Sequence, residues 1–252
     1  MITTKLTGRL GNQMFEIANC IAYSLRTNQE WAIPDHTENS ELWETYFTHF
    51  PKLDKSFNLF GWYREHSHGY TPIPKREQIC FMGYFQSYKY FEDYKEQVLK
   101  EFEPAFANFE QGIIPNTVSL HFRLGDYLKY STHHNIITTN YIQDAISYFP
   151  ENTNFLVFSD GIDYCKQLLP DMFPNINFAY SENTNALQDL HTMSRCEHNI
   201  MSASTFSWWA AYMNKNPNKI VITPSAQSWF GEDNKHLDTS DIIPENWKQI
   251  KL

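Results

Sequence analysis

The chain has 252 residues, 42% of them hydrophobic and 16% aromatic, enough apolar material for one large domain or two small ones and against a disordered chain. Its formal net charge of −9, with only six arginines, excludes the basic face that non-specific nucleic-acid binding requires; an anion must be met by a local site. No stretch approaches the roughly 18 apolar residues of a membrane span and no apolar signal core stands near the start. The four cysteines, at 20, 80, 165 and 196, have neither C-x-x-C nor metal-ligand spacing. A reduced, cytoplasmic protein is expected, with Cys20 and Cys196 as small core residues; two disulfides are the alternative.

In chain order, TGRLGNQMF (7–15) comes first, with Arg9 between Gly8 and Gly11 and then Asn12 and Gln13. A stripe of Met14, Ile17, Ala18, Ile21, Ala22 and Leu25 predicts a helix over about 12–26. The turn is neither G-x-G-x-x-G nor a Walker loop. Any strand–turn–helix junction accounts for its glycines, but not for an arginine, an asparagine and a glutamine together, so Arg9, Asn12 and Gln13 are read as facing a site. EWAIPD (30–35) and QICFMGYF (78–85) read as strands and 88–101 as a helix. Residues 36–77 have no steady period; Trp43, Tyr46, Trp62 and Tyr63 are either core or a platform on which a sugar stacks. Pro104 and QGIIPN (111–116) suggest a boundary, giving two unequal α/β lobes, 1–110 and 111–252, with a cleft between them.

The second half has a clearer rhythm. Apolar runs at 117–123, 154–160, 175–181, 197–204 and 218–225 alternate with helix-like segments near 139–149, 162–169, 185–195 and 205–214. Strand and helix in alternation predict a parallel sheet with covering helices. Each run ends in polar residues (HFR, FSD, AYSE, SAS, TPS), and ligands of open α/β sheets lie beyond the carboxyl ends of the strands.

Four constellations stand there. In TVSLHFRLGDY (117–127), strand alternation sends His121 and Arg123 to one face, and Asp126 can reach back to fix the guanidinium. An arginine fork suits phosphate oxygens; a structural Arg–Asp pair is the other reading. Asp160 can bind a ribose, orient Arg123, or cap the next helix. Asn185 and Gln188 have capping-box spacing, and the helix they start turns Asp189 toward its packed face. Such a carboxylate needs donors, which guanine's N1–H and N2 amino group supply, as do backbone N–H groups. In SASTFSWWAAYM (202–213), Ser204 and Thr205 precede a helix whose apolar side begins with Phe206. They are an N-cap, or with the helix N-terminus they take a phosphate. No metal-ligand cluster and no nucleophile elbow is present.

In this order the pieces resemble the inverting α-1,2-fucosyltransferases of bacteria, relatives of the blood-group H-type enzymes. GRLGNQMFEIA, HFRLGDY, FSD and ALQDLHTMSRCEHNIMSASTFSWWAAYM carry the resemblance, which covers nearly the whole chain and is poor over 36–77. It implies a GT-B-like α/β fold of two Rossmann-type lobes and GDP-fucose as donor. The implied acceptor is a galactose-terminated oligosaccharide or lipid-linked glycan. It implies no cofactor, no metal and no nucleic acid; peripheral association is the only membrane role kept. Arg123 would bind the diphosphate, His121 and Asp189 the guanine, and Ser204, Thr205 and Phe206 the phosphate end; Arg9, Asn12 and Gln13 would meet the donor sugar or the acceptor. Asp126 and Glu16 are the carboxylates considered for the base. Two departures, Gly161 in SDG where SDD is usual and Ala203 where asparagine is frequent, keep another nucleotide sugar or linkage open. A catalytically idle sugar-binding protein is the third reading.

Overall fold

The computed structural model describes residues 1–34, 46–53, 60–183 and 185–252; Asp35 and Trp43 lie outside them. The chain divides into two compact units, Met1–Asn108 with Asp238–Pro244, and Phe109–Leu237 with Glu245–Leu252.

The first unit carries β1 (Ile2–Thr4), α1 (Leu10–Thr27), β2 (Gly61–Arg64), β3 (Ile79–Met82) and α2 (Lys95–Phe102). Its sheet is parallel throughout, in the order β1-β3-β2. Met14, Ile17, Ala18, Ile21 and Ala22 are buried as the helical stripe predicts, but Leu25 is exposed. Burial instead runs nearly all round α1 and takes in Gln13, Glu16, Asn19 and Ser24, the pattern of a core helix rather than a surface one. Asn28 ends it in the left-handed conformation, φ 54°, its N–H returning to Leu25 and Ser24 carbonyls. The predicted strand over 30–35 is not formed among its described residues: Trp31 and Ile33 make only isolated parallel bridges. The helix predicted over 88–101 starts late, after two 3₁₀ turns at Tyr88–Tyr90 and Glu92–Tyr94. β2 went unpredicted because it is an edge strand burying only Tyr63 of its four residues.

The second unit runs β4 (Ile114–Phe122), α3 (Gly125–Lys129), α4 (Thr139–Ile146), β5 (Asn154–Ser159), α5 (Ile162–Met172), β6 (Phe178–Tyr180), α6 (Ala186–Arg195), β7 (Cys196–Ile200), α7 (Thr205–Met213), β8 (Val221–Pro224) and β9 (Lys248–Ile250). The six strands form one sheet, β6-β5-β4-β7-β8-β9, and every pairing is parallel. The predicted parallel sheet is therefore present, with β9 as a strand that three residues were too few to announce. Residues 117–122 are buried on both faces, as the central strand of a parallel sheet requires. Val118, Leu120 and Phe122 pack with Tyr141, Ile142, Phe155, Val157 and Ile222. Tyr141 is sunk in this core and its hydroxyl donates to the Met201 carbonyl at 2.7 Å, which satisfies it. Each of these side chains contributes about 1.5–3 kcal/mol by leaving water.

Strand order fixes where a ligand can sit. From β4 the chain proceeds outward through β5 and β6, then returns to lay β7 on the opposite side of β4. The chain leaves β4 toward β5 on one side and β7 toward β8 on the other, which makes the carboxyl ends of β4 and β7 the topological switch point where ligands of open α/β sheets bind.

Candidate active site

β4 ends at Phe122, and Arg123 follows directly. Its guanidinium is held from two directions: Nη2 donates to Asp126 Oδ1 at 2.6 Å, and Nη1 pairs with Asp160 Oδ2 at 2.5 Å. Asp160 leaves the end of the neighbouring β5. Its Oδ1 accepts the backbone N–H groups of Leu124 at 2.8 Å and Gly125 at 3.1 Å, so one carboxylate fixes both the arginine and the turn after it. A Cβ on Gly125 would stand 2.6 Å from Asp160 Oδ2, so the approach needs glycine there. Of the three readings of Asp160, orientation of Arg123 is the one formed; the N-cap of α5 is Gly161, which supplies no side-chain cap. Nε of Arg123 has no acceptor among the described residues and remains available to a ligand.

On the other side of β4, the β7–α7 turn is tied to the same strand. His121 is buried, and its Nδ1 meets Ser202 Oγ at 2.7 Å. Burial, then the Arg123 charge, pushes the imidazole pKa down to about 3, so His121 is neutral at pH 7. Its ring lies 5.5 Å from that of Phe206. The Tyr127 hydroxyl donates to the Ala203 carbonyl at 3.0 Å, and its ring lies under the guanidinium at 5.5 Å. Ser204 caps α7, accepting from the Phe206 N–H at 3.4 Å, so the cap reading of Ser204 is formed, with Thr205 the first helical residue. Arg123 and the α7 N-terminus, both suited to anions, thus open at one end of the switch point. Nothing in the sequence assigned Tyr127 a part; its only signal was an aromatic ring one residue beyond the Asp126 that holds the arginine.

Asp189 lies two strands away, on the first turn of α6, where Asn185 accepts from Gln188 N–H as the capping spacing predicts. Its Oδ1 accepts from Ser181 Oγ at 2.6 Å and Asn183 Nδ2 at 3.0 Å. Burial raises its pKa and those two bonds oppose the rise. Its donors are therefore side chains rather than backbone groups, and Oδ2 has no partner among the described residues.

Arg9, Asn12 and Gln13 belong to the first unit. Arg9 is exposed in the N-cap position of α1. Asn12 Oδ1 accepts from Gln86 Nε2 at 3.0 Å, while Gln13 is fully buried and its Nε2 donates to the Gly8 carbonyl at 3.1 Å. Gln13 thus serves the turn itself. Glu16 faces the core: its two oxygens take the Thr7 N–H at 2.9 Å and hydroxyl at 2.6 Å, and burial holds its pKa well above the usual range. Among the described residues no group of three or more His, Cys, Asp or Glu could hold a metal ion, and no helix is long and apolar enough to cross a membrane.

The chain is similar to the Escherichia coli alpha-1,2-colitosyltransferase, 26% identical over 100% of this chain and 99% of that protein. It is 27% identical to galactoside alpha-(1,2)-fucosyltransferase 2 of Oryctolagus cuniculus over 84% of this chain and 67% of the relative. In structure it resembles a mutant of Arabidopsis thaliana FUT1 in complex with GDP, with TM-score 0.50 and 10% identity over 91% of this chain and 73% of the other; that likeness establishes a GT-B-like α/β fold. The model of glycosyl transferase family 11 matches residues 1–251, and the chain therefore belongs to glycosyl transferase family 11.

Proposed function

We propose that this glycosyltransferase moves L-fucose from GDP-fucose to the 2-hydroxyl of a terminal galactose on an oligosaccharide or lipid-linked glycan, with inversion and without a metal ion or other cofactor. The observation that carries the reading is Arg123, fixed by Asp126 and Asp160 beside the α7 N-terminus at the switch point. The galactoside α-1,2-fucosyltransferase relative supports the sugar and the linkage. In this account the acceptor oxygen attacks the anomeric carbon on the face opposite the diphosphate. The bond from that carbon to the β-phosphate oxygen breaks, its electron pair leaves with GDP, and the acceptor proton passes to solvent or a base. Charge then builds on the β-phosphate. Arg123 and the N-terminal end of α7 are already in place for it, and fixed donors and dipoles stabilise most where no reorganisation is needed. Asp126 acts by holding Arg123. We assign guanine to the Oδ2 side of Asp189, with the neutral His121 shaping the pocket floor through Ser202 and Phe206. On the resemblance, Arg9 and Asn12 go to the sugar or acceptor end and the first unit to the acceptor, while the buried Gln13 holds the turn that carries them.

The test is transfer by the EDTA-treated protein from GDP-fucose to a galactose-terminated disaccharide, with the new linkage read by NMR. A Fuc(α1,2)Gal product supports the proposal; donor intact after long incubation with a panel of β-galactosides contradicts it. The full-length similarity to a colitosyltransferase favours a second reading, transfer of the 3-deoxy counterpart of fucose. Product from GDP-colitose and none from GDP-fucose would select it.

A further inference from the structure

The Arg123 cluster leaves an electrostatic problem. One guanidinium faces two carboxylates, Asp126 and Asp160, and His121 beside it is neutral, so the formal charge of the group is negative. A diphosphate is itself multiply anionic, and fixing the arginine has used part of its attraction. Further donors are needed close by.

His134 is placed to be one. Its imidazole stacks on the Tyr127 ring, centroids 4.2 Å apart and planes within 10°, and Tyr127 is the ring over which the Arg123 guanidinium lies. Neither ring nitrogen has a hydrogen-bond partner among the described residues. Nδ1 is sealed from solvent, whereas Nε2 stays open to it. Burial lowers the imidazole pKa, and the charges it feels include those of Asp126 and Arg123, with His133 beside them. A neutral imidazole with nothing to accept from Nδ1 carries its proton as a donor at Nε2 or leaves a polar nitrogen unused.

The segment that carries His134 is built to hold it there. The His134 N–H returns to the Tyr130 carbonyl at 3.1 Å, and His134 bridges Phe230. Asn135 Nδ2 donates to the carbonyls of Ser228 at 3.0 Å and Phe230 at 2.7 Å. Gly231 permits this closeness, since a Cβ there would stand 2.5 Å from the Thr132 carbonyl oxygen. A strapped loop that stacks an imidazole with no hydrogen-bond partner on the same tyrosine ring that carries an arginine is not accounted for by packing alone, because phenylalanine would stack on Tyr127 at no polar cost.

We propose that His134 is a diphosphate-binding residue, donating a hydrogen bond from Nε2 to the nucleoside diphosphate that Arg123 meets and supplying part of the attraction that Asp126 and Asp160 cancel. This rests on the assignment of the nucleotide to the switch point.

The test is calorimetric titration of wild type, His134→Phe and His134→Gln with GDP and with GMP. His134→Phe keeps the stack and removes the donor; GDP affinity falls about tenfold to a hundredfold, the range for a lost bond to a charged group, while GMP affinity changes less than twofold. His134→Gln, which returns a side-chain N–H, recovers most of the loss. GDP binding by His134→Phe equal to that of wild type overturns the proposal and leaves the nucleotide site standing. Equal losses for GDP and GMP, or no recovery by glutamine, assign His134 a structural part and overturn it too. Failure of wild type to bind GDP removes both the site and the proposal. If His134→Phe does not fold, imidazole ¹⁵N shifts in wild type decide: an Nε2 resonance that moves with GDP and not with GMP supports the proposal, and one unmoved by GDP overturns it.

Discussion

Arg123 is useful as a donor because it is not free to move. Two carboxylates from different turns set the plane of its guanidinium, and Asp160 also takes the two N–H groups of the turn that follows. Such over-determination keeps a long side chain ordered without substrate and removes an entropic cost from binding. The Arg–Asp126 pair was legible in HFRLGDY because three residues of a tight turn bring the two together. The Asp160 contact was only one of three readings, since it spans 37 positions of sequence and needs the β4–β5 pairing to exist. His121 gives a prediction at the same scale. Its folded pKa of about 3 lies below the unfolded value near 6.5, so between those limits the unfolded state binds a proton that the native state does not. Stability supplied above pH 6.5 is therefore lost as pH falls toward 3, at about 1.4 kcal/mol per pH unit. His121→Gln flattens the acid limb of denaturant-derived stability by that slope; an unchanged limb contradicts the assignment.

The elements that position the site were read well where both faces of a strand are buried. β4 and β5 announced themselves by β-branched and aromatic runs, and α6 and α7 by their caps. The shorter or half-exposed pieces were not: β2 buries a single residue, and α3 is five residues long with none buried. Just past β2 stands Glu65, whose signal in the sequence was nil. Its Oε2 accepts the Tyr84 N–H at 2.8 Å while Oε1 is buried without a partner, and burial pushes its pKa up to about 7. The sign is opposite to that of His121. The native state keeps a proton that the unfolded state releases above about 4.5, so this stabilisation is present at low pH and lost as pH rises through 7. Glu65→Gln is neutral throughout: it leaves stability little changed at pH 4.5 and raises it relative to wild type by about 1.4 kcal/mol per pH unit up to 7. Urea denaturation at a series of pH values checks this. A constant difference across the series contradicts a buried, protonated carboxylate. Because the two groups act in opposite directions between 4.5 and 6.5, only the paired variants separate them. At the cap of α7, Ser204→Ala costs about 1 kcal/mol in the same assay, and no change would show that the Phe206 N–H finds another acceptor.

At the scale of the molecule, the sheet order that makes a switch point was not readable from the sequence, although its ingredients were. Alternating strands and helices predict a parallel sheet; whether β7 returns to lie against β4 is decided by packing among residues 80 positions apart. The return of Asp238–Pro244 to the first unit is likewise invisible in composition. The cysteines were legible: all four are free and buried, and burial pushes the Cys80 and Cys196 thiols up to about 12. A small thiol reagent therefore labels none of them within minutes in the native protein and all four in urea; fast native labelling, or fewer than four thiols in urea without reductant, contradicts this.

The central claim is that the β4–β7 switch point holds a guanosine diphosphate through Arg123. It is tested most directly by calorimetric titration of wild type, Arg123→Lys and Arg123→Ala with GDP, with ADP and UDP alongside. The account predicts binding of GDP at least tenfold tighter than of the other two. Arg123→Ala loses about tenfold to a hundredfold in affinity, the range for removing a charge-assisted bond, and Arg123→Lys, which keeps the charge and loses the fork, falls between. A folded Arg123→Ala protein that binds GDP as wild type does, or a wild type indifferent to the base, would contradict it.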